Sequence, residues 1–149
     1  WSAGAKPPEL LMSGEVVMTT GWNGRFFNAM MDGAPLAQVW DGQGLDYQYM
    51  VVVKGGPNEA DAMKAIKEMM STEGLAGSAK HIAYAPFRKS SLAVIEAGEP
   101  WYKDGKTNML PQMPSAKANT KNYFLVDPLY WADNGTELGE KWEAMKAGL

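Results

Sequence analysis

The segment Tyr47-Gln48-Tyr49-Met50-Val51-Val52-Val53 constrains this chain more than any other. It is built from β-branched and aromatic residues, ends in an unbroken apolar run and is stopped by Lys54-Gly55-Gly56-Pro57. A strand with one wet face alternates apolar and polar residues. An unbroken run asks for cover on both faces, which helices packed on a parallel sheet supply. The following segment reads as such a helix. Asn58 is placed to cap it, Asp61 follows three residues on, and Met63, Ile66, Met69 and Met70 recur at helical spacing and are expected in the core.

The alternation extends along the chain. Residues 5–14 begin near a Pro pair and close on Gly14, predicting a short helix. Glu15 to Thr20 predicts a strand, Gly21-Trp22-Asn23-Gly24 a turn, Arg25 to Asp32 a helix stopped by Gly33, and Ala37 to Trp40 a second strand. Thr72 to His81 predicts a helix and Ile82 to Pro86 an extended stretch, after which Ser90 or Ser91 caps a helix through Ala97. Residues 98–120 are rich in Gly, Pro, Asn and Lys and read as an excursion over the surface. Tyr123 to Val126 reads as extended, Asn134 with Glu137 as a capping arrangement, and Leu138, Trp142 and Met145 as one face of a last helix. Strands alternating with helices give the α/β class.

Composition narrows the function. The 149 residues are 46% hydrophobic and 21% charged, enough for one domain with a real core. Net charge is -3 and no Lys/Arg run exists, which argues against nucleic acid, whose affinity rests on neutralised phosphates. With no Cys, disulfides, thiolate zinc sites and Cys nucleophiles are excluded. The single His81 makes a histidine metal site or a Ser-His-Asp triad hard to build, so neither metal nor cofactor is expected. Gly55-Gly56-Pro57 lacks the Lys-Ser/Thr of a phosphate loop. No apolar stretch is long enough to span a bilayer, so no membrane insertion is expected. The chain opens on Trp1 with neither initiator Met nor signal peptide, which leaves open a removed leader or a piece of a longer polypeptide.

Several segments in order carry a resemblance: Gly14-Glu15-Val16-Val17-Met18 with Gly21-Trp22-Asn23-Gly24, Val39-Trp40-Asp41 with the strand ending Val53-Lys54-Gly55, Pro57-Asn58 opening a helix to Met70, and Ile82-Ala83-Tyr84-Ala85-Pro86, completed by Asp127 to Asn134 and Trp142. Together they resemble the C-terminal half of the periplasmic solute-binding proteins of the spermidine/putrescine type. The resemblance implies part of a two-lobed type II periplasmic binding fold with hinge strands between the lobes. It places residues 1–47 and 91–149 in the C-terminal lobe and has 48–90 cross to the other, with hinges at Asp46 to Tyr49 and Phe87 to Ser91. It also implies a periplasmic protein that captures a small cation, such as a polyamine, and hands it to the membrane permease of an ABC importer.

A polyamine is an apolar chain punctuated by ammonium groups. Aromatic faces suit both parts, and carboxylates read the ammonium spacing. The resemblance therefore points to Trp22, Asp46, Tyr47, Tyr84, Asp127 and Trp131 as ligand-binding residues. The structural alternatives are a core anchor for Trp22, a solvated hinge acid for Asp46 and a packed hinge tyrosine for Tyr84. The family's aromatic-x-Asp at the crossover is replaced here by Leu45-Asp46-Tyr47-Gln48, with Gln48 where the Asp is expected. Arg25 reads as closing the local turn before it reads as meeting a ligand carboxylate. No catalytic residue is expected. Two other readings stand beside this one: the same fold holding a sugar or other polar metabolite, and a hydrolase using paired carboxylates among Asp41, Asp46 and Asp127.

Overall fold

The computed structural model describes residues 1, 3–98 and 101–148. Helix α1 (Lys6–Met12) takes Pro7 in its first turn, where the missing N–H costs nothing, and leaves through Gly14 at φ +73°. Helix α2 (Asn23–Met31) ends the same way, with Gly33 at φ +93°. Strand β1 (Gln43–Leu45) precedes α3 (Glu59–Met69), α4 (Thr72–Ser78) and α5 (Lys89–Ala97). A 3-10 turn at Leu110–Gln112 leads to β2 (Tyr123–Leu125) and the long α6 (Pro128–Ala147). β1 and β2 are parallel, in register Gln43↔Tyr123, Gly44↔Phe124 and Leu45↔Leu125. No helix among the described residues is long and apolar enough to cross a membrane.

The core joins α2, α4, α5 and the chain between α5 and β2. Its buried members are Phe27, Ala76, Ala79, Ala83, Ile95, Met109, Met113 and Ala116. Ala76 and Ala79 give α4 a small-residue face on which α5 packs closely, and the Ser91 hydroxyl of α5 donates to the Thr72 carbonyl at 2.8 Å. Phe27 meets Tyr102 edge to face at 5.2 Å, and the Trp101 indole N–H donates to the Ala76 carbonyl at 2.9 Å. Burying Phe27 or Ile95 contributes about 1.5–3 kcal/mol each.

Residues 101–120 are thus no surface excursion. Met109, Met113 and Ala116 lie in the core and Asn119 is turned inward as a hydrogen-bond donor, while Lys103, Lys106 and Lys117 stay exposed; residues 99 and 100 of the expected excursion 98–120 lie outside the described residues. Ser91 is not a cap but a buried residue inside α5, which begins after Arg88. Asn58 stands at the N-cap of α3 without a side-chain bond, whereas Ser71 caps α4 by accepting from the Gly74 N–H. Asn134 lies within α6, its amide donating to the Tyr130 carbonyl one turn back, and Asp127 caps that helix instead.

Three expected strands, at Glu15 to Thr20, Ala37 to Trp40 and Tyr47 to Val53, have no strand partner among the described residues. Val51 and Val53 are 79% and 77% exposed where cover on both faces was expected. The apolar face of α3 is open too, with Met63 57% exposed and no residue of the helix buried. The reason is common to both: local pattern sets an element's face, but only neighbouring chain can bury it.

Candidate functional site

The start of α2 collects the most chemically suggestive side chains. Trp22 occupies the N-cap in extended conformation, and the Arg25 N–H closes the turn on the Trp22 carbonyl at 2.9 Å. Because the backbone closes this turn, the Arg25 side chain is not needed for it. A methyl group built on Gly4 would fall 2.6 Å from Trp22 Cζ3 and 3.6 Å from Arg25 Nε, so indole and guanidinium lie together over one glycine. Trp1 meets Trp22 edge to face at 5.5 Å and donates its indole N–H to the Thr20 carbonyl. Among the described residues no acidic side chain pairs with Arg25.

Tyr84 reaches the same helix start from 60 residues away. Its ring lies on Gly24, where a methyl group would come within 2.6 Å of Tyr84 Cε1 and 3.1 Å of Ile82 Cγ1. The Asn23 amide locks the approach by donating to the Ala83 carbonyl and, at 3.4 Å, to the Gln112 carbonyl. Gln38 in turn donates to the Asn23 carbonyl at 2.7 Å. Trp22 is 54% exposed and Tyr84 37% exposed, so both rings border the α2 N-terminus with solvent-facing surface rather than filling a core.

Asp46, Tyr47, Asp127 and Trp131 gather elsewhere, where the chain leaves the parallel pair. The last rung, from the Val126 N–H to the Leu45 carbonyl at 2.9 Å, releases Asp46 and Tyr47 from one strand and Asp127 from the other. Asp46 and Tyr47 are exposed. Asp127 Oδ1 accepts from the Leu129 and Tyr130 N–H groups at 2.9 and 3.2 Å. Tyr130 and Trp131 meet edge to face at 5.9 Å in the first turn of α6. Among the described residues no hydrogen bond or ring contact joins this group to Trp22 and Tyr84, but both rest on the 109–119 segment, through Asn23 to Gln112 and Gln43 to Pro114.

Asn23, Gln38 and Gln43 escaped sequence reasoning because single amides carry no spacing signal. A hollow of about 400 Å³ between α1 and α2, lined by Leu11, Met12, Ala29, Pro35 and Leu36, holds none of the predicted site residues. Asp104 is held below the usual carboxylate range by the Thr107 hydroxyl, then by the Thr107 and Lys106 N–H groups, in a local turn.

Comparison with known proteins places this geometry. Residues 1–114 match the model of a family described as bacterial extracellular solute-binding protein. The chain is 37% identical over 147 residues to a gamma-aminobutyric acid-binding protein of Pseudomonas aeruginosa, covering 99% of this chain and 39% of that protein. Among solved structures it is similar to the PBP MotA of A. tumefaciens B6 in complex with glucopine (TM-score 0.74, 28% identity, 94% of this chain and 41% of that one). It is also similar to an ABC transporter substrate-binding protein of Bradyrhizobium japonicum USDA 110 (TM-score 0.75, 26% identity, 97% and 42%). The chain therefore spans about two fifths of the length of these relatives. Its fold is part of a two-lobed type II periplasmic binding architecture, and the chain belongs to the bacterial extracellular solute-binding protein family.

Proposed function

We propose that these residues form one side of the ligand site in the solute-binding component of an ABC importer, working outside the cytoplasmic membrane and delivering solute to a permease. Its ligand is a small zwitterion carrying an ammonium group and a carboxylate on a short apolar chain, of the γ-aminobutyrate kind. The observation that carries this reading is Arg25 beside Trp22 over Gly4 with no acidic partner among the described residues. A guanidinium takes a carboxylate through two parallel charge-assisted hydrogen bonds, while the Trp22 face takes an ammonium or its methylenes for about 0.5–2 kcal/mol. A polyamine, the ligand suggested by the sequence, offers Arg25 only repulsion. The gamma-aminobutyric acid-binding relative supports the same choice.

In this reading Tyr84 walls the site beside Trp22, and Asp46 and Tyr47 approach it from the hinge. Residues 1–47 and 91–149 belong to one lobe and 48–90 to the crossover, with closure at Asp46 to Tyr49 and Phe87 to Ser91. The hydrolase reading loses two of its three acids to structural work: Asp41 accepts from the Asn122 amide at 2.9 Å, and Asp127 caps α6.

The test is calorimetric titration of the complete receptor carrying these residues with γ-aminobutyrate and with putrescine. Saturable binding of γ-aminobutyrate is expected, weakened roughly 10–100-fold by Arg25→Ala, the value of a lost hydrogen bond to a charged group. Tighter binding of putrescine, indifferent to Arg25→Ala, would overturn the zwitterion assignment.

A further inference from the structure

We infer that Gln38 is a positioning residue of the ligand site, holding the main chain of Asn23 between the Trp22 and Tyr84 rings at the expense of fold stability. The inference deepens the reading that these two rings border a ligand, and rests on it.

Asn23 stands between the two rings in the chain. Trp22 precedes it at the N-cap of α2, and Gly24, on which the Tyr84 ring lies, follows it. The Asn23 side-chain amide donates to the carbonyls of Ala83 and Gln112, so it ties the head of α2 to two distant stretches. Such a side chain is only as well aimed as the main chain that bears it. Among the described residues, the bond made to that main chain from outside α2 runs from Gln38 Nε2 to the Asn23 carbonyl, at 2.7 Å.

The other half of the Gln38 amide shows what this bond is for. Gln38 Oε1 is shut off from solvent and accepts no hydrogen bond among the described residues. Turning the amide over gives no relief, because Oε1 would then face the Asn23 carbonyl, acceptor against acceptor. A buried acceptor without a donor destabilises a fold, and an apolar side chain of similar shape avoids that loss. Nor does the Asn23 carbonyl depend on Gln38, since as the first carbonyl of α2 it also accepts within the helix. Packing and hydrogen-bond satisfaction alone would therefore favour Met or Leu at position 38. What Gln adds is direction: a short bond from the stretch between α2 and β1 to the residue that links Trp22 with the Tyr84 segment. Conflict between local stability and a fixed geometry is what a binding site imposes.

The test is Gln38→Met in the complete receptor, with Gln38→Leu as a second variant. Three quantities are read: thermal unfolding, amide exchange at Ala83, Tyr84 and Ala85 without ligand, and calorimetric affinity for γ-aminobutyrate. Both variants are expected to unfold at or above the temperature of the parent, while affinity falls about tenfold and exchange at the three amides quickens about threefold or more. Stability lost in step with affinity would make Gln38 a structural residue only, and unchanged affinity would leave it no part in the site; either result overturns the inference. If the parent itself takes up no γ-aminobutyrate, the zwitterion assignment falls and exchange decides alone. Quickened exchange at an undiminished unfolding temperature then sustains the positioning of the Tyr84 segment by Gln38, and unchanged exchange overturns it.

Discussion

The Gln43 side-chain amide donates to the main-chain carbonyl of Asn119 at 2.6 Å, so the first residue of β1 is tied to the last buried residue before β2. Gln43 Nε2 also reaches the Pro114 carbonyl at 3.0 Å, while Asn119 Nδ2 donates to the Pro111 and Met113 carbonyls, both at 2.9 Å. Two amides thereby serve four carbonyls of a segment too irregular to satisfy them through regular secondary structure, which is what lets Met109 and Met113 be buried there. Asn119→Ala leaves the Pro111 carbonyl unserved at a buried position, while the Met113 carbonyl keeps the Ala116 N–H at 3.0 Å. It should destabilise the chain by about 1–3 kcal/mol, against about 1 kcal/mol for Gln43→Ala at a partly exposed position. Urea unfolding followed by far-UV circular dichroism checks the ranking; equal midpoints for the two variants would contradict it.

That segment also shows where sequence reasoning stopped. Its Gly, Pro, Asn and Lys content signals irregular backbone, which is correct, but irregular does not mean superficial. Asn119 turns its amide to the Met113 carbonyl while its own main-chain carbonyl accepts from Gln43, 76 residues away, a pairing no local pattern signals. The opposite error occurs in α3, where Met63 and Met69 lie on a helical stripe that no described residue buries. Helix positions were readable because proline, glycine and apolar period act locally: α1, α2 and α5 fall close to where they were expected. That Trp22 and Tyr84 both border the head of α2 follows from no local pattern, since the two residues lie 62 apart in sequence. The turn at Arg25 is closed by its backbone N–H on the Trp22 carbonyl, a bond invisible in sequence.

Gly24 tests the aromatic wall directly. A methyl group there would stand 2.6 Å from Tyr84 Cε1, and the ring, already 37% exposed, can yield outward. The helix gains up to about 1 kcal/mol from Gly→Ala, and the displaced contact costs about 1–3 kcal/mol. Gly24→Ala should therefore lower stability by no more than about 2 kcal/mol but move the Tyr84 ring off Gly24. If Tyr84 walls the ligand, the complete receptor loses affinity in Gly24→Ala and in Tyr84→Ala to a similar degree. Undiminished affinity in both, by calorimetric titration, would remove Tyr84 from the site.

Asp127 has two candidate roles that one pair of substitutions separates. As a cap it accepts two backbone N–H groups at the head of α6, a geometry that Asn reproduces and Ala does not. As an ammonium partner it needs its negative charge, which Asn lacks. Capping predicts that Asp127→Ala costs about 0.5–2 kcal/mol while Asp127→Asn costs only the small part that comes from the charge facing the helix dipole. Ligand recognition predicts instead that Asp127→Asn weakens γ-aminobutyrate binding as strongly as Asp127→Ala does. With Oδ1 engaged by both the Leu129 and Tyr130 N–H groups, the expected outcome is the first pattern: the Asn variant keeps thermal stability and ligand affinity near the parent. Thermal unfolding and calorimetric titration of both variants read the two roles separately. Loss of affinity in Asp127→Asn at unchanged stability would return this carboxylate to the binding site.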